Sequence, residues 1–165
     1  MTSATAIPTR QDRGDRQWPA LAASLGAVAV VSVIGSVATA TGTDSWYAQL
    51  EQPSWNPPDW LFGPVWTVLY VAMAVAAWLV WRTGERRALA PYAVQLVLNL
   101  AWTLTFFGAQ STWGGVVVIA ALLIAIVVTI AAFARAHRVA AWLLVPYLAW
   151  TTYAAALTTA IALAN

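Results

Sequence analysis

Five long stretches of this chain are apolar and contain no charged residue. Each is long enough for a transmembrane helix, which needs about 20 predominantly apolar residues to cross a hydrocarbon core of about 30 Å. An arginine at the bilayer centre would cost roughly 2.5 to 3.5 kcal/mol, so the lack of charge favours insertion. The sequence therefore predicts an all-α membrane protein, a bundle of five transmembrane helices. The predicted helices cover about residues 19–40, 61–81, 88–108, 114–134 and 139–163.

The composition supports this assignment and narrows the chemistry. Hydrophobic residues make up 61% of the chain and charged residues only 8%, with a mean hydropathy of +0.71, whereas about a quarter of residues are charged in soluble domains. The chain has no cysteine, which excludes disulfides and thiolate metal sites. It shows no paired carboxylates, no Ser/His/Asp set, no phosphate-binding glycine loop and no metal-ligand cluster. We therefore expect no cofactor, no metal site and no conventional hydrolytic or redox-cofactor catalysis.

The basic residues indicate how the helices are oriented. All eight are arginines, and they fall in the N-terminal tail and in two of the four gaps between the apolar stretches. Because cytoplasmic loops carry an excess of positive charge, the N-terminus is predicted in the cytoplasm and the C-terminus outside. Topology accounts for these arginines, so no nucleic-acid partner is expected. The arginines are Arg10, Arg13 and Arg16, then Arg82, Arg86 and Arg87, then Arg135 and Arg138.

The chain divides into a tail and a single membrane domain. Residues 1–17 are polar without a periodic apolar pattern and are interpreted as a disordered tail. Residues 18–165 form the five-helix domain, in which residues 41–60 make one long outer loop. An alternative for the N-terminus is a cleavable signal peptide that ends at the small-residue triplet of residues 38–40. The apolar stretch is long for a signal peptide, so we favour a helix.

The long outer loop has an unusual composition. Residues 46–60, WYAQLEQPSWNPPDW, contain four aromatic residues and three prolines. Proline fixes φ and removes a backbone donor, so the loop is predicted to be irregular but stiff. Its aromatic rings could form an interfacial belt. However, 11 tryptophans in 165 residues are more than such belts require, which leaves a binding role open.

Three predicted helices carry aromatic and polar residues at helical spacing. Polar side chains within a membrane generally face the bundle interior and mark a candidate site, although Gln95 and Asn99 could equally be interhelical hydrogen-bonding residues. Three aromatic stripes would enclose a flat apolar cavity suited to a planar polycyclic ligand. The stripes are Phe62, Trp66, Tyr70 and Met73; Gln95, Asn99, Trp102 and Phe106; and Tyr147, Trp150 and Tyr153.

These segments resemble the TspO/MBR family, which comprises the tryptophan-rich sensory proteins and the translocator proteins, or peripheral-type benzodiazepine receptors. The similar segments are WYAQLEQPSWNPPDWLFGPVWTVLYVAM at residues 46–73, QLVLNLAW at residues 95–102 followed by Phe106 and Phe107, and LLVPYLAW at residues 143–150. The resemblance covers about residues 20–163. Departures from the family pattern are Gln52, where a lysine is usual, and Thr158, where an asparagine is usual.

The resemblance implies a homodimeric five-helix protein. The all-arginine, alanine-rich composition favours the cell membrane of a prokaryote. Its ligand pocket would open toward the outer loop, residues 41–60, which would act as a lid. Porphyrins, isoquinoline-carboxamide drugs and, in animal members, cholesterol are the ligands associated with the family. Ser36 and Thr39 would contribute from the first helix. The implied ligand-binding residues are Tyr47, Trp55, Phe62, Gly63, Trp66, Tyr70, Asn99, Trp102, Trp150, Ala154 and Leu157.

Three functions are consistent with this resemblance. The first is a tetrapyrrole-binding receptor or sensor, whose partners would be a porphyrin or related planar molecule and membrane lipid. The second is a light- and oxygen-dependent porphyrin-degrading enzyme, in which the indoles of Trp66 and Trp150 would be catalytic as electron or radical donors. The third is a transporter of porphyrins or lipophilic small molecules. No basic residue follows Arg138, which disfavours the basic C-terminal motif proposed for cholesterol recognition.

Overall fold

The computed structural model describes residues 17–43 and 46–165, and for residues 17, 36 and 38–43 it describes the backbone only. Within these residues the chain is helical without strands, and five segments are long and apolar enough to cross a membrane. The chain is therefore an integral membrane protein with five spanning segments, as the sequence predicts. Most of the predicted tail, residues 1–17, and the side chains of Ser36 and Thr39 lie outside the described part.

The helix boundaries agree with the predicted ones to within a few residues. The third span consists of a short 3₁₀ turn, Arg86–Ala88, the helix α3, Leu89–Thr103, and a π-helical turn at its end. The fifth span consists of two helices, α5, Arg138–Leu143, and α6, Val145–Ala164. Another 3₁₀ turn, Tyr47–Gln49, lies in the lid. The α-helices of the described residues are α1 Gln17–Thr43, α2 Asp59–Thr83, α3 Leu89–Thr103, α4 Thr112–Ala136, α5 Arg138–Leu143 and α6 Val145–Ala164.

Short-range signals end one helix and start two others. Gly84 follows α2 with φ of +86°, a left-handed conformation that glycine adopts without strain. Ser111 caps α4, since its Oγ accepts a hydrogen bond from the Gly114 N–H at 3.2 Å. His137 caps α5 in the same way, its Nδ1 accepting from the Ala140 N–H at 3.3 Å. These signals accompany the short gaps after the second, third and fourth spans, whereas the gap after the first span is long.

The third span ends in a π-helix, Leu104–Gly108, which the regular 3.6-residue period does not predict. The Ala109 N–H donates to the Leu104 carbonyl five residues earlier, at 2.8 Å. Such single π turns occur mostly within α-helices and frequently at functional sites. In this turn, residues five apart in sequence lie on the same face of the helix. The side chains that face the bundle at this end of the span therefore differ from those that a regular α-helix would place there.

The fifth span is interrupted at Leu144, where a single helix was predicted. Pro146 has no N–H, and its ring would collide with the carbonyl four residues earlier in a continuous helix. We define the lid end of the bundle as the end near residues 46–58, and the arginine end as the end near Arg82 and Arg138. At the arginine end α5 packs against both α4 and α2, whereas α6 packs mainly against α4 and has little contact with α2. Toward the lid end, the backbones of α2 and α6 are therefore far enough apart for large side chains to lie between them.

Candidate functional site

A cluster of aromatic side chains lies between α2, α3 and α6 toward the lid end. Trp66 is at its centre, with ring centroids 5.4 Å from Tyr70, 6.4 Å from Trp102 and 6.2 Å from Tyr147. Because these partners come from all three helices, the aromatic side chains connect α2, α3 and α6 across the space between their backbones. We call the following group the aromatic site: Phe62, Trp66, Tyr70, Trp102, Tyr147 and Trp150, in which Phe62 meets Trp150 edge-on at 5.9 Å.

A buried asparagine connects the same helices through hydrogen bonds. Asn99 is 1% exposed. Its Oδ1 accepts from the Tyr70 hydroxyl at 2.9 Å, and its Nδ2 donates to the Tyr147 hydroxyl at 3.2 Å. Tyr147 is itself fully buried. The interhelical role weighed for Asn99 in the sequence is thus observed. Gln95 is buried one turn away, where its Nε2 contacts the Met73 Sδ at 3.7 Å.

Two indole N–H groups of the aromatic site lack an acceptor. The Nε1 atoms of Trp102 and Trp150 are buried and have no hydrogen-bond partner within the described part of the chain. Most buried donors in folded proteins are paired, so each unpaired donor needs an explanation. Both donors belong to large, flat rings. The site can therefore offer stacking surfaces and two hydrogen-bond donors to a flat ligand that carries acceptor atoms.

The described part of the lid, residues 46–58, is stiffened by side-chain hydrogen bonds. The Tyr47 hydroxyl donates to Asn56 Oδ1 at 3.2 Å, and Asn56 Nδ2 donates to Gln52 Oε1 at 2.6 Å. Gln52 Nε2 completes the loop by donating to the Tyr47 carbonyl at 2.9 Å. Burial raises the pKa of Tyr47 to about 12, so its hydroxyl keeps its proton at neutral pH. Gln52, which replaces the lysine usual in the family, thus has a structural role inside the lid.

The lid is fastened to the bundle near Trp55 and Glu51. The Tyr153 hydroxyl of α6 donates to the Trp55 carbonyl at 2.7 Å, and the two rings meet edge-on at 5.6 Å. Asn165 accepts from the Glu51 N–H at 3.0 Å and donates to the Glu51 carbonyl at 3.2 Å. Tyr47 is buried against Phe107 at 5.7 Å. These contacts attach the described part of this loop to the bundle beside the aromatic site.

The Tyr153 hydroxyl should be a main fastening of the lid. We expect Tyr153→Phe to speed hydrogen exchange of the lid amides about fivefold, because a hydrogen bond of this kind contributes about 1 kcal/mol. Thr152→Val is the matched control, since the Thr152 hydroxyl bonds only to Leu148 of its own helix. Exchange measured by mass spectrometry on a peptide from the lid compares the two variants. Equal exchange rates in both would show that Tyr153 does not restrain the lid.

The structure brings most of the predicted site residues together. Tyr47 and Trp55 reach the aromatic site through intermediate rings, those of Phe106 and Tyr153. Gly63 differs, because it is exposed and a β-carbon placed there would meet nothing within 4 Å. Residues in direct contact within the site are Phe62, Trp66, Tyr70, Asn99, Trp102 and Trp150, while Ala154 and Leu157 are buried on the same α6 face as Trp150.

Some residues at the site were not among the predicted ligand-binding positions. Tyr147 lies on a predicted stripe, three residues before Trp150, so its position could have been inferred. Phe106 stacks on Trp102 at 6.1 Å, as its four-residue spacing allows. Phe107 contacts Trp102 edge-on, also at 6.1 Å. That five-residue spacing is the one a π-helix brings together, and no periodicity in the sequence reveals it.

A sequence model of the TspO/MBR family matches residues 23–164 of the chain. The chain belongs to the TspO/MBR family. It is 43% identical over 145 residues to the tryptophan-rich protein TspO of Chlorobaculum tepidum, covering 85% of this chain and 92% of the relative. The protein of the same name from Archaeoglobus fulgidus is 42% identical over 148 residues, covering 88% and 96%. The tryptophan-rich sensory protein of Cereibacter sphaeroides is 41% identical over 115 residues, covering 69% and 73%.

TspO/MBR membership fits the molecule in two respects. The family match begins inside α1 and ends at the last residue of α6, so it spans the whole described bundle and the lid. The relatives are named for their tryptophans, and tryptophans form much of the aromatic site. Membership supports a membrane receptor or sensor of the TspO type.

Proposed function

We propose that the aromatic site binds a porphyrin or a related planar tetrapyrrole, and that the protein is a tetrapyrrole receptor or sensor of a prokaryotic cell membrane. The observation that carries this proposal is the pair of unpartnered indole donors, Trp102 and Trp150, in a cluster of aromatic rings beneath a fastened lid. The predicted residues that meet there would form the walls of the site. We further propose the homodimer that the family resemblance implies.

Ligand entry would exchange ring–ring contacts for ring–ligand contacts. The site rings now touch one another edge-on or tilted, as Phe62 and Trp150 do. A flat macrocycle between α2 and α6 would replace these contacts with stacking, which is worth roughly 0.5 to 1.5 kcal/mol per aromatic pair beyond area burial. Each indole N–H would gain an acceptor from a carboxylate oxygen of the ligand. Because the lid end carries Glu51 and Asp59 but no arginine, these donors are the groups suited to that carboxylate.

Titration with protoporphyrin IX in the dark tests the receptor proposal. We expect saturable quenching of tryptophan fluorescence by the detergent-purified protein. Trp150→Phe should weaken binding about tenfold, because it keeps a stacking ring but removes an N–H whose hydrogen bond to a charged group is worth about 1.5 to 3 kcal/mol. Trp142→Phe is the control, since Trp142 is 71% exposed at the arginine end. Absence of saturable binding, or an equal loss in both variants, would contradict the proposal.

A light-dependent porphyrin-degrading activity is a second candidate. It is favoured by the position of Trp66, which is in ring contact with Trp102 and with Tyr70. In this candidate molecular oxygen is the oxidant, and the indole of Trp66 or Trp150 supplies an electron to the excited ligand. Illumination of the same samples in air distinguishes the two functions. Trp66→Phe should keep dark binding but slow the loss of porphyrin absorbance, whereas normal bleaching by this variant would exclude the indole role.

A further inference from the structure

A groove lies at the other end of the bundle from the aromatic site. This groove, of about 320 Å³, opens between α1, α2 and α3 at the arginine end. We call it the arginine-end groove. One wall is formed by small residues of α1, Ala20, Ala23 and Ala27, and the opposite wall by the rings of Trp78, Trp81 and Tyr92. The lining is almost entirely apolar, which suits an acyl chain.

Two arginines lie over tryptophan rings that line the arginine-end groove. The Arg82 guanidinium carbon lies 4.7 Å from the centroid of the Trp78 ring, and that of Arg86 lies 5.7 Å from the Trp81 ring. Both tryptophans line the groove, and both arginines are exposed. Stacking of this kind restrains a guanidinium while leaving its N–H groups free to bind an anion. The groove therefore has an apolar floor and a cationic rim.

A buried hydroxyl in the groove wall points to an occupant. Tyr92 is 7% exposed, and its hydroxyl lies near the Ser24 hydroxyl but makes no hydrogen bond of ordinary geometry among the described residues. Ser24 lines the same groove but donates its hydroxyl to the Ala74 carbonyl at 2.9 Å. A buried hydroxyl without a partner is unfavourable. Tyr92 lies about 4.5 Å along the axis from the first residue of α3, inside the third spanning segment.

We propose that the arginine-end groove binds one anionic phospholipid. An acyl chain lies against the alanines of α1, an ester oxygen accepts the hydrogen bond of Tyr92, and the phosphate contacts Arg82 and Arg86. Basic pockets between transmembrane helices commonly bind anionic headgroups in this way. A zwitterionic lipid satisfies the apolar and ester contacts but brings no net charge to the rim. The site is independent of the tetrapyrrole proposal.

Another depression at the same end provides an internal comparison. It has a volume of about 510 Å³ and is lined by residues that include Ile130, Arg138 and Trp142. Arg138 is its only lining arginine, and none of its lining residues has an unpartnered buried polar side-chain atom among the described residues. It therefore has a cationic side chain in its lining but no counterpart of the Tyr92 hydroxyl. Arg138 and its neighbour Arg135 supply a control with the same loss of charge at the same end.

Native mass spectrometry of the full-length protein in detergent tests the proposal, with dioleoylphosphatidylglycerol as the anionic probe and dioleoylphosphatidylcholine as the neutral one. We expect preferential retention of one phosphatidylglycerol. The double variant Arg82→Gln, Arg86→Gln should weaken that retention at least about tenfold, since each basic residue near anionic lipid contributes about 1 kcal/mol. The double variant Arg135→Gln, Arg138→Gln should weaken it by no more than about threefold. Equal losses would show general surface attraction and would overturn the site.

Two further variants keep the charge and test the groove itself. Tyr92→Phe keeps the ring that stacks on Phe133 and should weaken retention of phosphatidylglycerol a few-fold. Ala23→Leu places a larger side chain where the acyl chain would lie and should weaken retention more. Thermal melting followed by tryptophan fluorescence shows that each variant is folded. Full displacement by inorganic phosphate would indicate a free-anion site instead. A change of oligomeric state in Ala23→Leu would indicate that a second copy covers the groove. Equal retention of the neutral lipid would also overturn the proposal.

Discussion

Replacing Asn99 by leucine is expected to lower the free energy of unfolding by about 2 kcal/mol. The side chain is buried and joins the hydroxyls of Tyr70 and Tyr147. Leucine has the same branched shape and number of side-chain heavy atoms but leaves both hydroxyls without their present partner. Interhelical hydrogen bonds in membranes average about 0.6 kcal/mol and reach about 1.7, and an unsatisfied buried group costs about 1 to 3 kcal/mol. Denaturant unfolding in mixed micelles, followed by tryptophan fluorescence, measures the loss.

Two further variants show whether hydrogen bonding is the cause. Thr103→Val is the control, because the Thr103 hydroxyl bonds only to the Asn99 carbonyl of its own helix, and we expect a small effect. The triple variant Asn99→Leu, Tyr70→Phe, Tyr147→Phe removes donors and acceptors together. Removing both partners can be nearly neutral, so the triple variant should recover most of the stability. A triple variant as unstable as Asn99→Leu would show that packing, and not the hydrogen bonds, sets the effect.

The five spans were predictable because the signals for them are local and strong. A run of uncharged apolar residues has to be long enough for the bilayer. The short gaps carry residues that end one helix or start the next, such as Gly84 and Ser111. The inward faces were predictable as well. Aromatic and polar residues at helical spacing, such as Trp66 and Asn99, share the interior because the 3.6-residue period places them on one face.

The remaining features depend on departures from that period or on residues far apart in the chain. Phe107 joins the site because one π turn brings residues five apart together. The interruption at Leu144 follows from Pro146, but the resulting direction of α6 is set by packing on α4. The lid has no periodic pattern at all. Its fastenings connect Trp55 to Tyr153, which lies 98 residues later, and such pairings are not encoded in neighbouring positions.

The location of the two proposed sites follows from the same architecture. Alanines and glycines allow close packing of helices in membranes. At the arginine end, small α2 residues such as Ala74, Ala76 and Ala77 are buried, and the aromatic rings there line the arginine-end groove at its edge. At the lid end, large rings such as Trp66 occupy the interior. A flat ligand would therefore enter the bundle only at the lid end, and lipid would occupy its surface at the other.

Replacing Gly115 by valine is expected to destabilise the protein by about 2 kcal/mol and to loosen the lid. A β-carbon on Gly115 would lie 2.7 Å from Phe106 Cδ2, 3.2 Å from Phe106 Cβ and 3.3 Å from Thr158 Cγ2. Such overpacking costs about 1 to 3 kcal/mol in well-packed interiors. Phe106 stacks on Trp102 and meets Trp46 of the lid edge-on at 5.5 Å. Its displacement should therefore accelerate hydrogen exchange in the lid and weaken dark binding of protoporphyrin IX.

Gly26→Val is the matched control for this prediction, since a β-carbon on Gly26 would meet nothing within 4 Å. We expect little change in its melting temperature or lid exchange. Adding Phe106→Leu to Gly115→Val replaces the ring that collides with the new side chain by a smaller aliphatic group. The double variant should therefore be more stable than the sum of the two single effects predicts. Contacting residues commonly show such coupling energies of about 0.5 to 3 kcal/mol. If the two changes in unfolding free energy simply add, Phe106 does not transmit the strain from Gly115. If hydrogen exchange of the lid is unchanged in Gly115→Val, the packing around Gly115 does not restrain the lid.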